Sequence, residues 1–262
     1  MGRRVTDFAH RLAAVVRISF ISSTAFATLG TAVVTLAITP LFGVLYDVLF
    51  GRDMLAPDYT RIGYAAALVS LCLSVEAGIV SKAATDRDLG IFEEIHLRHS
   101  VDVEYWLGAA VMPLLLSTVT AAVTIGGVFA CSPGHDVAML LRVVTLCPPA
   151  MVIGTLMGVC CAGVGVSLPD PYLGDTILDA ILPLTAGVIV PTTLYPQWLR
   201  EVFRVVPMTG TLMSLTTGGA GTSGATGVVE DLLFAVLWAG VGLLFVHVAV
   251  RRLRNGVRRD II

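Results

Sequence analysis

Long uncharged apolar stretches alternate with short charged segments along most of the chain. A helix needs about 20 apolar residues to cross a bilayer, and stretches of roughly that length recur here. They predict six spans, at residues 20–46, 62–80, 105–130, 139–167, 177–194 and 228–250. Because a helix satisfies its backbone polar groups internally, the pattern predicts an all-α membrane protein in which residues 1–262 form a single transmembrane domain.

Residues 4–17, before the first span, have the repeat of an amphipathic helix. Val5, Phe8 and Leu12 recur at helical spacing on one face, whereas Arg11 lies toward the other. Since the segment continues directly into the first span, we expect it to rest in the membrane interface rather than to form a solvated cytoplasmic helix.

Proline and small residues mark the irregular parts of the pattern. Pro40 lies within the first uncharged run and marks either a bend or the outer end of that span. In the fourth span, Gly154 and Gly158 have a spacing that permits close helix approach, although this spacing is frequent by chance in a Gly-rich chain. Residues 195–215 are too interrupted by proline to cross simply, and residues 216–227 are typical of a flexible linker.

The composition supports a membrane protein. Hydrophobic residues make up 56% of the chain and charged residues 14%, against about 45–50% and about 25% in soluble domains. The five cysteines show neither CxxC nor metal-ligand spacing, so we expect free thiols. No basic patch outside the membrane flanks indicates a nucleic-acid partner. Arginine in large excess over the single lysine, with much Ala, Gly and Val, favours a bacterial source.

The basic residues are unequally divided between the two sides of a six-span arrangement. If both termini are cytoplasmic, twelve Lys and Arg lie inside and four outside, with Arg142 at the start of the fourth span. Cytoplasmic loops carry an excess of Lys and Arg, so the asymmetry predicts cytoplasmic N- and C-termini. We therefore expect a multi-pass protein of the plasma membrane, with the lipid bilayer as its surroundings.

Several motifs that carry chemistry are missing from the sequence. A phosphate-binding P-loop needs Gly-Lys-Ser or Gly-Lys-Thr, and the one lysine, Lys82, precedes Ala83. HExxH is absent, and Glu93, His96 and His99 are better explained as a charged cytoplasmic face than as metal ligands. An intramembrane enzyme would need paired carboxylates or clustered histidines near one membrane face. We therefore expect neither a catalytic site nor a metal site.

Glu76 is the sole ionisable side chain deep in the second predicted span. A carboxylate at this depth is costly, so it should face the bundle interior or a water-filled cavity, as a candidate intramembrane polar site. Because it lies about one and a half turns from Lys82, it can instead reach the cytoplasmic interface. An ion-coupled secondary transporter with Glu76 as its coupling carboxylate is one function that this position allows.

The charged segment at residues 82–104 contains the run DRDLGIFEEIHL, which begins at Asp86. Mixed charges surround apolar residues at helical spacing, a pattern suited to packing into a groove of a soluble partner. The run resembles the cytoplasmic connector of type-2 ABC exporter permeases, which reads acidic-Arg-acidic-x-Gly-Thr-Leu-Glu. Where that family usually continues with Thr-Pro, this chain has Arg98 and His99. The positions that match in type are Asp86, Arg87, Asp88, Gly90, Phe92 and Glu93.

A second run, GVIVPTTLYPQWLR from Gly187 onward, is followed by Pro-Met-Thr. It resembles the fifth span and the outer re-entrant hairpin of the same family, although Gly210 replaces the usual His or aromatic residue. The order of elements also agrees with the family over nearly the whole chain. The aligned positions are Gly187, Pro191, Pro196, Trp198, Leu199, Pro207 and Thr209.

The resemblance implies the membrane-spanning permease subunit of an ABC exporter. Its fold would have six transmembrane helices, an N-terminal interfacial helix, a cytoplasmic coupling helix and an outer re-entrant hairpin. The chain would need no cofactor, because ATP and Mg²⁺ would bind to a separate ABC ATP-binding subunit, and a second permease copy would complete a homodimer. The cargo implied is a drug, antibiotic, lipid or polysaccharide, and the apolar spans favour an amphiphilic small molecule. Coupling to the ATPase would fall on Asp86, Arg87, Gly90, Phe92 and Glu93.

The charge asymmetry can be tested by labelling single cysteines in whole cells. In a variant whose native cysteines are replaced by serine, we expect Asp88→Cys to be protected from an impermeant thiol reagent. Asp58→Cys, in the predicted outer loop, should be labelled. Labelling of Asp88→Cys without permeabilisation would contradict the predicted orientation.

Overall fold

The computed structural model describes residues 28–53, 59–98, 102–185, 195–216 and 222–254, with the single positions 16, 17, 19 and 188. Every regular element in this part of the chain is helical. In chain order the elements are α1 (Leu29–Val33), a π-helical turn (Val34–Ile38), α2 (Thr39–Asp53), α3 (Tyr59–Asp88), α4 (Ile91–Arg98), α5 (Val103–Cys131), α6 (Val137–Gly165), α7 (Leu173–Thr185), α8 (Gln197–Phe203), α9 (Thr209–Thr216) and α10 (Thr222–Arg254).

The helices include candidate membrane spans. Within the described residues, five stretches are long and apolar enough to cross a membrane, namely Leu29–Tyr46, Thr60–Asp88, Val103–Cys131, Val137–Gly165 and Gly224–Arg254. They confirm the all-helical fold class and indicate a multi-pass membrane protein. The predicted fifth span contains most of α7, which has 13 residues, and its remainder falls on residues 186–194, outside the described part except for Val188. The predicted helix at residues 4–17 also lies outside it, apart from positions 16 and 17.

The outer surface of the helices is apolar. On α10, Leu233, Leu237 and Leu244 are 61%, 63% and 64% exposed, and the other candidate spans also carry exposed leucine and valine. Contiguous apolar surface of this extent is unfavourable in water but suits contact with lipid. The exposed apolar faces therefore support the same conclusion as the length and composition of the helices, namely that these helices are candidate membrane spans.

The α3 helix lies at the centre of the fold. It packs against α2, α5, α6 and α7, and 61% of its membrane window is buried, against 6% of the first window. Small residues on α6 allow this contact, because Gly154 faces the Cys72 carbonyl and Gly158 faces Ile79 and the backbone of Glu76. The two glycines therefore lie where α6 approaches α3, and their spacing has a packing role here.

The first span contains an irregular turn. The chain passes through the π-helical turn at Val34–Ile38 and then continues as α2 to Asp53. Pro40 has no N–H with which to bond the carbonyl one turn earlier, a frequent cause of such irregularity. Pro40 therefore lies inside helical structure and does not mark the outer end of the helix.

Several predicted boundaries move because packing overrides local composition. The α3 helix continues to Asp88, so the first part of the predicted connector is the end of this helix. Residues 195–215, predicted to be too interrupted for a simple crossing, contain α8 and most of α9, which are joined by a turn. The α10 helix begins at Thr222, inside the predicted linker at residues 216–227. Gly227 lies directly against Gly210 of α9, so its small size serves a helix contact there rather than a flexible linker.

The packing of α6 on α3 predicts a difference between two glycine-to-alanine variants. A Cβ at Gly154 would overlap the Cys72 backbone, so Gly154→Ala should lower the free energy of unfolding by roughly 1–3 kcal/mol. Gly126→Ala on α5 meets open space among the described residues and should be neutral or stabilising by about 0.5–1 kcal/mol. Thermal unfolding in detergent measures both. Equal melting temperatures for the two variants would contradict this packing.

Candidate functional site

A left-handed glycine separates the connector helix α4 from the central helix. Gly90 has φ of 74°, a conformation that glycine adopts without the strain of a side chain. Its N–H donates to the Arg87 carbonyl at 3.0 Å and closes the end of α3, while its carbonyl accepts from Glu94 N–H at 3.3 Å and opens α4. Among the described residues, no atom lies within 4 Å of a Cβ added at Gly90. The requirement for glycine here is therefore conformational and not one of space.

Four aromatic rings fix α4 to the beginning of α5. Phe92 stacks on His96 with ring centroids 4.0 Å apart, and the pair meets the edges of Tyr105 and Trp106 at centroid distances of 5.2–6.4 Å. His96 Nδ1 donates to the Phe92 carbonyl at 2.9 Å, since a carbonyl can only accept. Phe92 and His96 are both buried. The connector is thus packed against the span that follows it.

The charged residues at the end of α3 bind within the chain. Asp86 is buried and accepts hydrogen bonds from Lys82 Nζ and from Tyr105 Oη, the latter at 2.9 Å. Arg87 Nη1 donates to the carbonyls of Gly165 at 3.0 Å and Leu168 at 2.8 Å, where α6 ends. A guanidinium suits the unpaired carbonyls of a helix C-terminus. These bonds join the end of α3 to α5 and α6.

The five predicted docking residues therefore divide into two groups. Asp86 and Phe92 are buried, and Arg87 bonds the end of α6, so these three hold the connector in position. Gly90 and Glu93 are exposed. Leu89 and Ile91, which are 67% and 41% exposed, are the large apolar side chains beside them. The outward surface of the connector, defined here as Leu89, Ile91 and Glu93, is the part that a partner could contact, and docking of a partner there stays a prediction.

The residues predicted to form the re-entrant hairpin lie at α8 and α9, except Pro191, which is outside the described residues. Pro196 precedes α8, and Trp198 is 68% exposed. Pro207 is buried just before α9. The described helices are short and joined by a turn, and their depth in a membrane stays a prediction.

Asp231 of α10 holds the N-terminus of α9, a role that the sequence pattern did not reveal. It is buried and accepts hydrogen bonds from the backbone N–H of Gly210 at 3.2 Å and of Thr211 at 2.6 Å, and from the Thr211 hydroxyl at 2.7 Å. A carboxylate at this position satisfies donors that a helix N-terminus leaves unpaired. An acidic residue within an apolar span is unusual, and this feature of the sequence could have indicated a structural role for Asp231.

Glu76 is fully buried among α3, α6 and α7. Asp175 and Cys161 lie beside its carboxylate, and Asp179 is close enough to interact with it electrostatically. Among the described residues, neither oxygen of Glu76 has an aligned hydrogen-bond partner, and Asp175 Oδ1 has none. Glu76 therefore lies inside the described helix bundle, and its role as an intramembrane polar site stays a prediction. The sequence analysis did not identify its two acidic neighbours. The four-residue spacing of Asp175 and Asp179, which places both on one face of a helix, could have indicated them.

A cleft of about 520 Å³ lies next to this acidic cluster, between α2, α3 and α7. Its lining is mostly apolar, with Asp179 and two serines as polar members. Within the described residues, no three His, Cys, Asp or Glu side chains form a group that could hold a metal ion. The described lining residues are Tyr46, Ile62, Ala66, Val69, Ser70, Leu73, Ser74, Ala77, Asp179, Pro183 and Val188.

His96 makes the attachment of the connector sensitive to pH. Burial lowers the pKa of His96 below its ordinary value of 6.5, and the Phe92 carbonyl and the charge of Asp102 offset this only in part. When α4 is detached from α5, His96 takes up a proton as the pH falls through 6.5. When α4 is packed on α5, the buried His96 resists protonation. Packing of the connector should therefore be unaffected above that pH and weaken below it.

The measurement is amide hydrogen exchange of residues 91–98 at about pH 7.5 and about pH 5.5, corrected for the intrinsic exchange rate. We expect protection to fall at the lower pH, and His96→Phe, which keeps a stacked ring, to remove most of that fall. His247→Phe on α10 is the control and should leave the pH dependence intact. A fall in protection that persists unchanged in His96→Phe would contradict the assignment to His96.

Comparison with known proteins finds no matching family model, no matching curated protein and no matching solved structure. A function for this chain is therefore argued from the two features that its own residues build. One is the connector with its outward surface, and the other is the acidic cluster beside the cleft.

Proposed function

We propose that this chain is the membrane-spanning permease subunit of an ATP-driven ABC exporter, which moves a drug-like or lipid-like compound out of the cell. Two copies would form the pathway, and a separate ATP-binding subunit would dock on the cytoplasmic side. The observation that carries the proposal is the connector, a short packed helix between two candidate spans with apolar and acidic side chains on its outer face.

The bonds around the connector support a role in force transmission. Arg87 links the base of α3 to the carbonyls that end α6, and Asp86 links it to Tyr105 of α5. The aromatic rings hold α4 against the same end of α5. Because packed elements move as units, displacement of the connector would be carried to three long helices at once. A solvated loop would not need Phe92 and His96 to be buried.

The finer features of the fold belong to the same proposal. The α7 helix with residues 186–194 would complete a sixth span, and α8 and α9 would form the outer re-entrant hairpin. Cytoplasmic termini follow from the distribution of Lys and Arg. The hydrogen bonds from α9 to Asp231 support a fixed position of this hairpin on the last span.

A second candidate function is an ion-coupled carrier that uses Glu76. The observation in its favour is that Glu76 is fully buried without an aligned partner beside a second carboxylate. Buried carboxylates that lack partners are frequent in proton and ion pathways. A carrier of this kind would function without an ATPase, and this difference separates the two candidates.

The connector is tested by changing its outward surface only. We expect Ile91→Arg combined with Glu93→Arg to reduce the ATPase activity that co-purifies with the chain at least about tenfold, because it removes an apolar contact and reverses a charge at the docking surface. The full chain is isolated from its native host in mild detergent, and ATP hydrolysis and bound proteins are measured. Arg87→Glu is avoided, since it would also break the bonds to Gly165 and Leu168.

Gln197→Arg, at an exposed position of α8, is the matched control and should retain the co-purifying ATPase. Retention of full ATPase activity by the double variant would remove the connector from the docking surface. Absence of any ATPase from the unmodified chain would reject the exporter, and the ion-coupled carrier would then be the leading function.

A further inference from the structure

We propose that the cleft between α2, α3 and α7 binds an organic cation with a bulky apolar body, and that Asp179 receives its positive charge. As a statement of the cargo class, the inference rests on the proposed export function. The cleft volume of about 520 Å³ is within the range of roughly 300–1,000 Å³ typical of small-molecule sites.

The lining determines the shape and polarity of the ligand. The cleft follows one face of α3 from Ile62 to Ala77, a helical length of about 22 Å. Most of that face is apolar, and the polar groups along it are the hydroxyls of Ser70 and Ser74. The Ser74 hydroxyl already donates to Leu71 and Ser117. The site therefore offers a long apolar surface and little hydrogen bonding, which excludes a sugar-like or strongly hydrated ligand.

Asp179 supplies the one charge of the described lining. In the described part of the chain it has neither a hydrogen bond nor a basic partner, and the charged group nearest to it is a second carboxylate, Asp175, one turn earlier on α7. A carboxylate among apolar side chains is unfavourable unless a cation or water accompanies it. A ligand cation at Asp179 would pair this charge while the apolar body fills the remaining cleft.

The acidic groups behind Asp179 strengthen the preference for positive charge. Glu76 is fully buried beside Asp175 and Cys161. Among the described residues, neither the oxygens of Glu76 nor Oδ1 of Asp175 has an aligned hydrogen-bond partner. Both carboxylates interact electrostatically with Asp179. Lys82, about one and a half turns along α3 from Glu76, donates a hydrogen bond to Asp86. Because Asp175 lies one helical turn before Asp179, acidic groups adjoin this end of the cleft, which favours a cation over an anion.

An organic cation explains the site better than an inorganic ion. A divalent metal needs several oxygen ligands around one point, and no group of three suitable side chains is present among the described residues. A proton or Na⁺ would require the carboxylates but not an apolar cleft of this size. The combination of one accessible carboxylate with a long apolar wall matches a lipophilic amine, phosphonium or quaternary ammonium compound.

The test uses two ions of nearly equal shape and opposite charge. Tetraphenylphosphonium and tetraphenylborate are titrated against the purified full chain in detergent, without ATP. We expect the phosphonium to bind and the borate to bind at least about tenfold more weakly. Asp179→Asn should weaken phosphonium binding about tenfold, because it removes the charge and keeps the volume. Asp170→Asn should leave it unchanged, since asparagine also accepts from Tyr172 N–H in that exposed turn.

A second variant keeps the proposal testable if Asp179→Asn does not insert. Ser70→Leu fills the cleft without changing any charge and should weaken phosphonium binding by a similar factor. Equal affinity for the two probes, displacement of the phosphonium by Na⁺, or unchanged affinity in both cleft variants would overturn the proposal. Co-purifying ATPase is measured in the same preparations. If ATPase co-purifies but the phosphonium does not bind, the cation site in the cleft is rejected and the exporter proposal stands. If the phosphonium binds but no ATPase co-purifies, the exporter proposal is rejected and the cation site stands.

Discussion

The close approach of α6 to α3 is the contact on which the rest of the structure depends. Gly154 and Gly158 remove side chains at the crossing, so the backbone of α6 lies directly on that of α3 around Cys72 and Glu76. In lipid, such packing replaces the hydrophobic effect as the force between helices. The contact buries Glu76, brings the end of α6 to Arg87 and makes α3 the central helix.

The carboxylates inside the helix bundle have different environments. Asp86 accepts hydrogen bonds from Lys82 of its own helix and from Tyr105 of α5, and Asp231 accepts three from α9, so they fix the connector and the α9 helix. Glu76 is fully buried beside the half-buried Asp175, and both carry oxygens that lack aligned partners in the described residues. Unsatisfied buried oxygens lower stability. A group of this kind is expected where a ligand, a proton or a moving charge supplies the missing partner.

The connector and the acidic cluster are joined through one helix. Glu76 lies on α3, and the last turn of α3 leads through Gly90 into the connector. Arg87 of that last turn bonds the end of α6, and the chain then continues into α7, which carries Asp175 and Asp179. A movement of the connector would therefore reach the carboxylates through packed backbone and a few hydrogen bonds. Such a short connection is suited to a protein in which an event at one end of a helix changes access to a site within the membrane.

The sequence by itself determined the class of this protein, because the need to satisfy backbone polar groups in lipid leaves helices as the solution for long apolar stretches. It also identified Glu76 and the connector, since charges beside or within apolar runs are costly and therefore conspicuous. It misplaced the ends of α3 and the start of α10, where charged or Gly-rich residues are helical because neighbours pack on them. Only the tertiary structure decided that Asp86, Arg87 and Phe92 bind inward, and that Asp175 and Asp179 join Glu76. These contacts join residues that are far apart in the chain. The hydropathy of a segment indicates whether it prefers water or lipid, but it does not indicate which other segments pack against it.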